Sequence, residues 1–213
     1  MTEQTPQPQS LNRRSLIKAA AWTAPAVGVA IATPLAAASI NNASIDWSAS
    51  QTDLLSLRVL DSQTVITAQA LITVPTQVSF INGPGAISAQ SAVVTITVGR
   101  PTGINLTLGR ARGFGVYSYN GVVTTPAQRS AVYQTAAGIP FGFPLTTWSG
   151  TQSITVASNG TLNIPVVFGL AGVNSGVGVS ALATFPVAIT IVAGGRTFND
   201  ATNISVPVGA GVL

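Results

Sequence analysis

The sequence predicts an all-β protein, an antiparallel β-sandwich of Greek-key or immunoglobulin-like type. From residue 44 onward, β-branched and apolar residues alternate with Ser, Thr, Asn and Gln. That two-residue period marks strands with one wet face. Gly and Pro interrupt the runs at short intervals, as turns do. No segment in this part of the chain makes a convincing long amphipathic helix, and its abundant Val, Ile and Thr suit a pleated sheet better than a helix.

The elements follow in order. Ser44-Ile45-Asp46-Trp47-Ser48 and Leu55-Ser56-Leu57-Arg58-Val59 open the alternation. Residues 65–74 make a longer run that Pro75 is expected to end, and residues 92–98 give the clearest strand, Ala-Val-Val-Thr-Ile-Thr-Val. Asn82-Gly83-Pro84-Gly85 and Asn159-Gly160 are turn signals, because Asn and Gly tolerate positive φ. Around the second, residues 153–157 and 161–166 are expected to pair as a hairpin. Residues 177–192 read as one or two central strands, with Pro186 at an edge, bulge or break. Gly194-Gly195 then turns the chain, and residues 204–208 form a last strand.

Residues 39–213 fit a single sandwich domain, with Gly99-Arg100-Pro101 as the one point (near 99–103) where it would divide in two. Residues 110–150 are expected to be a long irregular insertion. They carry Phe114, Tyr117, Tyr119, Tyr133, Phe141, Phe143 and Trp148, punctuated by Gly and Pro. Aromatic side chains fill cores, and they also stack on sugars and anchor protein interfaces. These seven are therefore the candidate binding surface, although core packing is the commoner use of such residues and the preferred reading.

Residues 1–38 read as a cleaved export signal with a disordered forward extension. Arg13, Arg14 and Lys18 precede an uncharged Ala-rich run, and Ala36 and Ala38 have the small-residue spacing that places cleavage before Ser39. The segment Asn12-Arg13-Arg14-Ser15-Leu16-Ile17-Lys18 resembles a twin-arginine signal. Arg13 and Arg14 match the pair, Leu16 and Ile17 the apolar positions and Lys18 the final basic residue. Asn12 stands where a hydroxyl residue is usual, and Leu16 where Phe is. Pro25 and Pro34 speak against an uncleaved spanning helix. With its Thr/Ala/Val/Gly-rich body, the chain resembles exported surface proteins of high-GC Gram-positive bacteria. That resemblance implies a secreted or cell-surface, extracytoplasmic location and transient contact with export machinery.

Composition excludes more chemistry than it suggests. The whole chain has a formal charge of +4, and only +2 remains beyond residue 38, where six arginines face Asp46, Asp53, Asp61 and Asp200. Arg110 and Arg112, with Arg100 nearby, are the only local concentration of positive charge, which is too little for a nucleic-acid footprint. There is no His and no Cys, so imidazole bases, Ser-His-Asp triads and thiolate metal sites are absent. Asp46 and Asp53 could meet across a hairpin as a carboxylate pair, but solvated turn residues are the simpler reading. The expectation is a non-enzyme with no cofactor and no metal.

A surface with few charges reduces repulsion between copies, and open β edges join through backbone hydrogen bonds. The sequence therefore points to a secreted or cell-surface structural protein that forms non-covalent β-rich assemblies or mediates adhesion. Its partners would be copies of itself or other envelope components. The alternative is a secreted β-sandwich module that binds a glycan or protein ligand, and an envelope β-barrel is a third class.

Overall fold

The computed structural model describes residues 40, 42–62, 64–68, 71–175 and 177–206. The export-signal residues Arg13, Arg14, Leu16, Ile17, Lys18, Ala36, Ala38 and Ser39 lie outside them.

The described chain is nearly all antiparallel β. Its strands are β1 (Ser44–Asp53), β2 (Ser56–Arg58), β3 (Val65–Thr67), β4 (Ile72–Ile81), β5 (Ile87–Val98), β6 (Thr102–Leu108) and β7 (Gly113–Tyr119). They continue as β8 (Val122–Val123), β9 (Arg129–Ala136), β10 (Ile139–Val156), β11 (Thr161–Ala171), β12 (Val177–Ala193) and β13 (Arg196–Val206). One hydrogen-bonded path runs β8-β7-β11-β4-β13-β12-β5-β10-β9, with β1 beside β4 and β6 beside β12, while β2 and β3 form a separate hairpin. The path narrows to a single residue pair, Ser205 with Thr73, between β13 and β4. That constriction separates two layers, β1-β4-β11-β7-β8 and β13-β12-β5-β10-β9.

Rings meeting across the gap show that the layers face each other. Phe114 of β7 stands edge-on to Phe185 of β12 at 4.9 Å. Phe80 of β4 meets Phe198 of β13 at 5.5 Å, and Tyr119 of β7 lies 4.8 Å from Trp148 of β10. Ile96, Ile189, Ile191 and Ile204 fill the space from one side, and Ile72, Ile164 and Leu170 from the other, all fully buried. The alternation read from the sequence therefore sorts apolar residues inward, as a two-layer sandwich requires. Strands from both sides of Gly99-Arg100-Pro101 interleave, since β5 pairs with both β10 and β12.

Four expectations need correction. Pro75 does not end a strand, and residues 65–74 are not one run: β4 passes through Pro75, preceded by the short β3. Nor does Pro186 break β12. Each proline stands where its strand changes neighbours. β4 pairs β13 at Thr73 and β11 from Gln77, and β12 leaves β6 at Thr184 and joins β5 at Val187. A residue with no N–H costs the ladder least at such a junction.

The Asn159-Gly160 turn exists, with Asn159 at φ 52°, but it does not close a hairpin. β10 pairs with β5 and β9, whereas β11 pairs with β4 and β7, so the link crosses between layers. Residues 110–150 are also not an irregular insertion. They form β7, β8, β9 and the first half of β10, with a short 3-10 turn at Pro126–Gln128.

Candidate functional site at an open sheet edge

Gly and Pro in residues 110–150 encode turns and a bulge within strands. Asn120 and Gly121 take φ 51° and 75° between β7 and β8, and Ala137 and Gly138 take 49° and 79° between β9 and β10. Two successive positive φ values twist a tight hairpin in the direction its strands require. Asn120-Gly121 carries the same Asn-Gly signal as Asn159-Gly160, and that dipeptide is the sequence mark of this hairpin. Between Phe141 and Leu145 the register with β9 shifts, and Gly142 sits at φ 77°. The bulge drives Phe143 inward, edge-on to Phe185 at 5.6 Å.

Below this bulge β10 belongs to the sandwich and pairs with residues 129–132 of β9; above it, residues 134–136 and 139–141 pair as a projecting arm, with Val132 and Tyr133 at its base. Apart from Tyr133, residues 130–141 are exposed. Cross-strand register puts Val132, Gln134, Ala136, Ile139 and Phe141 on one face, because paired and alternate residues point the same way. Val132 is 54% exposed, Ile139 69% and Phe141 37%. No charged side chain occurs between Ser130 and Leu145.

Tyr133 holds the arm from its other face. Its hydroxyl lies 3.0 Å from the carbonyls of Ala111 and Val173 and accepts from the Val173 N–H at 2.7 Å. The Arg110 guanidinium lies 6.0 Å from its ring centroid, and Arg100 Nη2 donates to the Val132 carbonyl at 3.0 Å. Arg110 Nε also donates to Ser175 Oγ at 3.0 Å. Arg100 and Arg110, the sequence's small basic concentration, thus tie the arm and its neighbouring loop in place.

The seven candidate aromatics do not form one exposed strip. Phe114, Tyr119, Phe143 and Trp148 are buried in the core, and Tyr117 and Tyr133 are half-buried; only Phe141 is exposed. Core packing, the preferred reading, describes the first four. The buried Tyr119 hydroxyl and Trp148 indole N–H have no hydrogen-bond partner among the described residues, and burial pushes the Tyr119 phenol well above its ordinary pKa of 10.0. Asp46 and Asp53 do not face each other across a hairpin. They share β1, seven residues apart, roughly 20 Å at a strand's rise of ~3.3 Å per residue.

The free edges differ in their protection. β1 carries two register shifts near Ala49, and the Trp47 N–H is taken by Asp200 Oδ2 at 2.7 Å. β8 is only two residues long. Bulges and brevity both blunt an edge against pairing with another chain. β9 ends the path, pairs only with β10 among the described residues, and has neither an internal proline nor a charge after Arg129.

The outer face of the layer that ends in β9 continues the arm's uncharged character. Unshifted register lines up Ser149, Thr95, Thr190 and Asn199 across four strands, with Thr151, Val93, Val192 and Thr197 beside them. Thr95 Oγ1 and Ser149 Oγ lie 3.2 Å apart, and Thr190 Oγ1 donates to Asn199 Oδ1 at 2.8 Å. Apart from the exposed Val93 and Val192, these outward rows are polar and the interior is apolar, the reverse of a lipid-facing barrel wall. Among the described residues no helix is long and apolar enough to cross a membrane.

No protein-family model matches this chain, and no curated protein matches it.

Proposed function

We propose that this is an exported, extracytoplasmic structural protein whose copies associate non-covalently through the β9–β10 arm. The single observation that carries the reading is an edge strand, β9, with no charge after Arg129, in the same arm as an exposed apolar face formed by Val132, Ile139 and Phe141. An edge offers unpaired backbone N–H and C=O groups, and an apolar face offers burial; a second copy supplies both. The twin-arginine-like segment supports export.

Adhesion to other envelope components would use the same arm. Catalysis has little support, because the four side-chain carboxylates among the described residues are spread over hydrogen-bonded or solvated positions. Asp61 pairs with Arg129, Asp200 accepts from Trp47, Asp53 accepts from the Leu54 N–H, and Asp46 is exposed on β1.

Light scattering on the purified chain and an Ile139→Lys variant tests the reading. The unaltered chain is expected to form assemblies larger than a monomer, and Ile139→Lys is expected to shift the distribution towards monomer with the fold intact. Equal mass distributions for both proteins would reject the arm as the contact.

A further inference from the structure

The described chain has ten charged side chains, and three of them meet around one cleft away from the arm's apolar face. Arg58, Asp61 and Arg129 line it together with Tyr117, and the cleft measures about 510 Å³. The arrangement follows from the packing of the β2–β3 hairpin. Leu57 and Val59 are buried, which turns Arg58 outward between them, and Leu60 N–H donates to the Leu170 carbonyl at 2.7 Å. Asp61 then turns the chain at φ 67° beside Arg129 at the start of β9.

The two arginines are in different states. Arg129 is mostly buried and committed: Nη2 pairs with Asp61 Oδ1, and Nη1 donates to Thr124 Oγ1 at 2.9 Å. Arg58 has no carboxylate within ion-pair distance among the described residues. Its guanidinium lies over the Tyr117 ring, 5.7 Å from the centroid. A cation held against an aromatic face keeps its planar fork of donors available to a ligand. Asp61 is the exposed member of its pair, at 56%, and its Oδ2 has no hydrogen bond to a described residue. The cleft therefore combines one uncommitted guanidinium, one free carboxylate oxygen and an aromatic side wall, with a net charge of one positive unit.

We infer that this cleft binds a carboxylate-bearing sugar unit of an acidic glycan. The ligand carboxylate would pair with the Arg58 fork, its ring would lie against Tyr117, and a hydroxyl would donate to Asp61 Oδ2. A single carboxylate matches the net charge. A phosphate carries more negative charge and no ring hydroxyls, and it would meet Asp61 unfavourably. The inference is independent of the assembly reading, since none of these residues belongs to the exposed face of the arm.

Calorimetric titration of the purified chain with oligogalacturonate tests it, against neutral oligogalactose and a short peptide with a free C-terminal carboxylate. Oligogalacturonate is expected to bind and the neutral oligomer not to bind. Raising the salt from low to high is expected to weaken binding several-fold. Arg58→Gln is expected to lower affinity by about tenfold or more, the scale of a lost charge-assisted pair. Arg58→Lys, which keeps the charge and the stem but loses the fork, should fall between them. Absence of oligogalacturonate binding, equal binding of the neutral oligomer, preference for the peptide, or affinity insensitive to both salt and Arg58 would each overturn the inference. Glycan binding by an unaltered chain that does not self-associate would reject only the assembly reading.

Discussion

The side-chain amide of Asn82 donates to the Ala157 carbonyl at 2.9 Å, joining two turns 75 residues apart. Asn82 follows β4, and Ala157 follows β10. Each turn carries the chain from one layer to the other, and they do so at the same end of the sandwich. The same amide also donates to the Gly85 carbonyl at 2.7 Å. Backbone bonds complete the joint: Asn82 N–H to Gly160 O, and Asn159 N–H to Gly83 O, both at 2.9 Å.

Asn82→Ala is therefore expected to destabilise the fold by about 1–3 kcal/mol, since it removes two donors from a buried position. Asn82→Asp should not rescue, because an ionised carboxylate cannot donate to either carbonyl. Urea unfolding of the three proteins measures this. Wild-type stability in Asn82→Ala would show that the backbone bonds alone hold the joint.

Tyr133→Phe tests how the arm is held. It removes a hydroxyl bonded to two strand-flanking loops, at Ala111 and Val173, with an expected cost of about 1–3 kcal/mol. Hydrogen exchange should rise in β9 and residues 139–141 more than in β12. Gly172→Ala should act at the same place, because Gly172 sits at φ 86° and an added Cβ would collide with the Tyr133 hydroxyl. A uniform change across all strands would contradict the anchoring role.

Tyr119 predicts an alkaline limit to stability. Its folded-state pKa is raised above 10.0 by burial, so the fold favours the neutral phenol. The sign follows from linkage: this stability is fully present below pH 10 and is lost as the pH climbs above 10 towards the folded value. Tyr119→Phe is expected to flatten that loss. It should cost little near neutral pH, because the hydroxyl has no hydrogen-bond partner among the described residues. Unfolding at pH 8, 10 and 11.5 compares the two proteins, and parallel losses would rule out Tyr119 as the source.

These sites show what was legible in the sequence. Two-residue alternation was enough to mark the strands and their inward faces, because burial acts on each strand locally. It could not say which strands are neighbours. Asn159-Gly160 reports positive φ and a turn, but pairing β11 with β4 and β7 depends on residues far along the chain. The prolines misled for the same reason: Pro75 and Pro186 look like strand ends until the neighbour switches beside them are known. Among the aromatics, burial turned on the bulge at Gly142, which sends Phe143 inward and leaves Phe141 outside. The cleft of Arg58, Asp61 and Arg129 had no sequence signature, since the β2–β3 hairpin brings Asp61 to β9 only in three dimensions.

Edge protection by charge gives a fourth expectation. Val132→Lys places a charge on the exposed face of β9, the device natural edge strands use against pairing. It should lower self-association without reducing glycan affinity in the Arg58 cleft. Thr151→Lys, on the outer face of the same layer but away from the arm, should leave association unchanged if the arm is the contact. Sedimentation of both variants separates the arm from the layer face.

The most direct test of the assembly proposal is sedimentation velocity of the purified, unaltered chain over a wide concentration range. Association through β9 and its apolar face predicts a weight-average mass that rises steadily with concentration. A mass that stays at one chain to the highest soluble concentration would contradict the proposal.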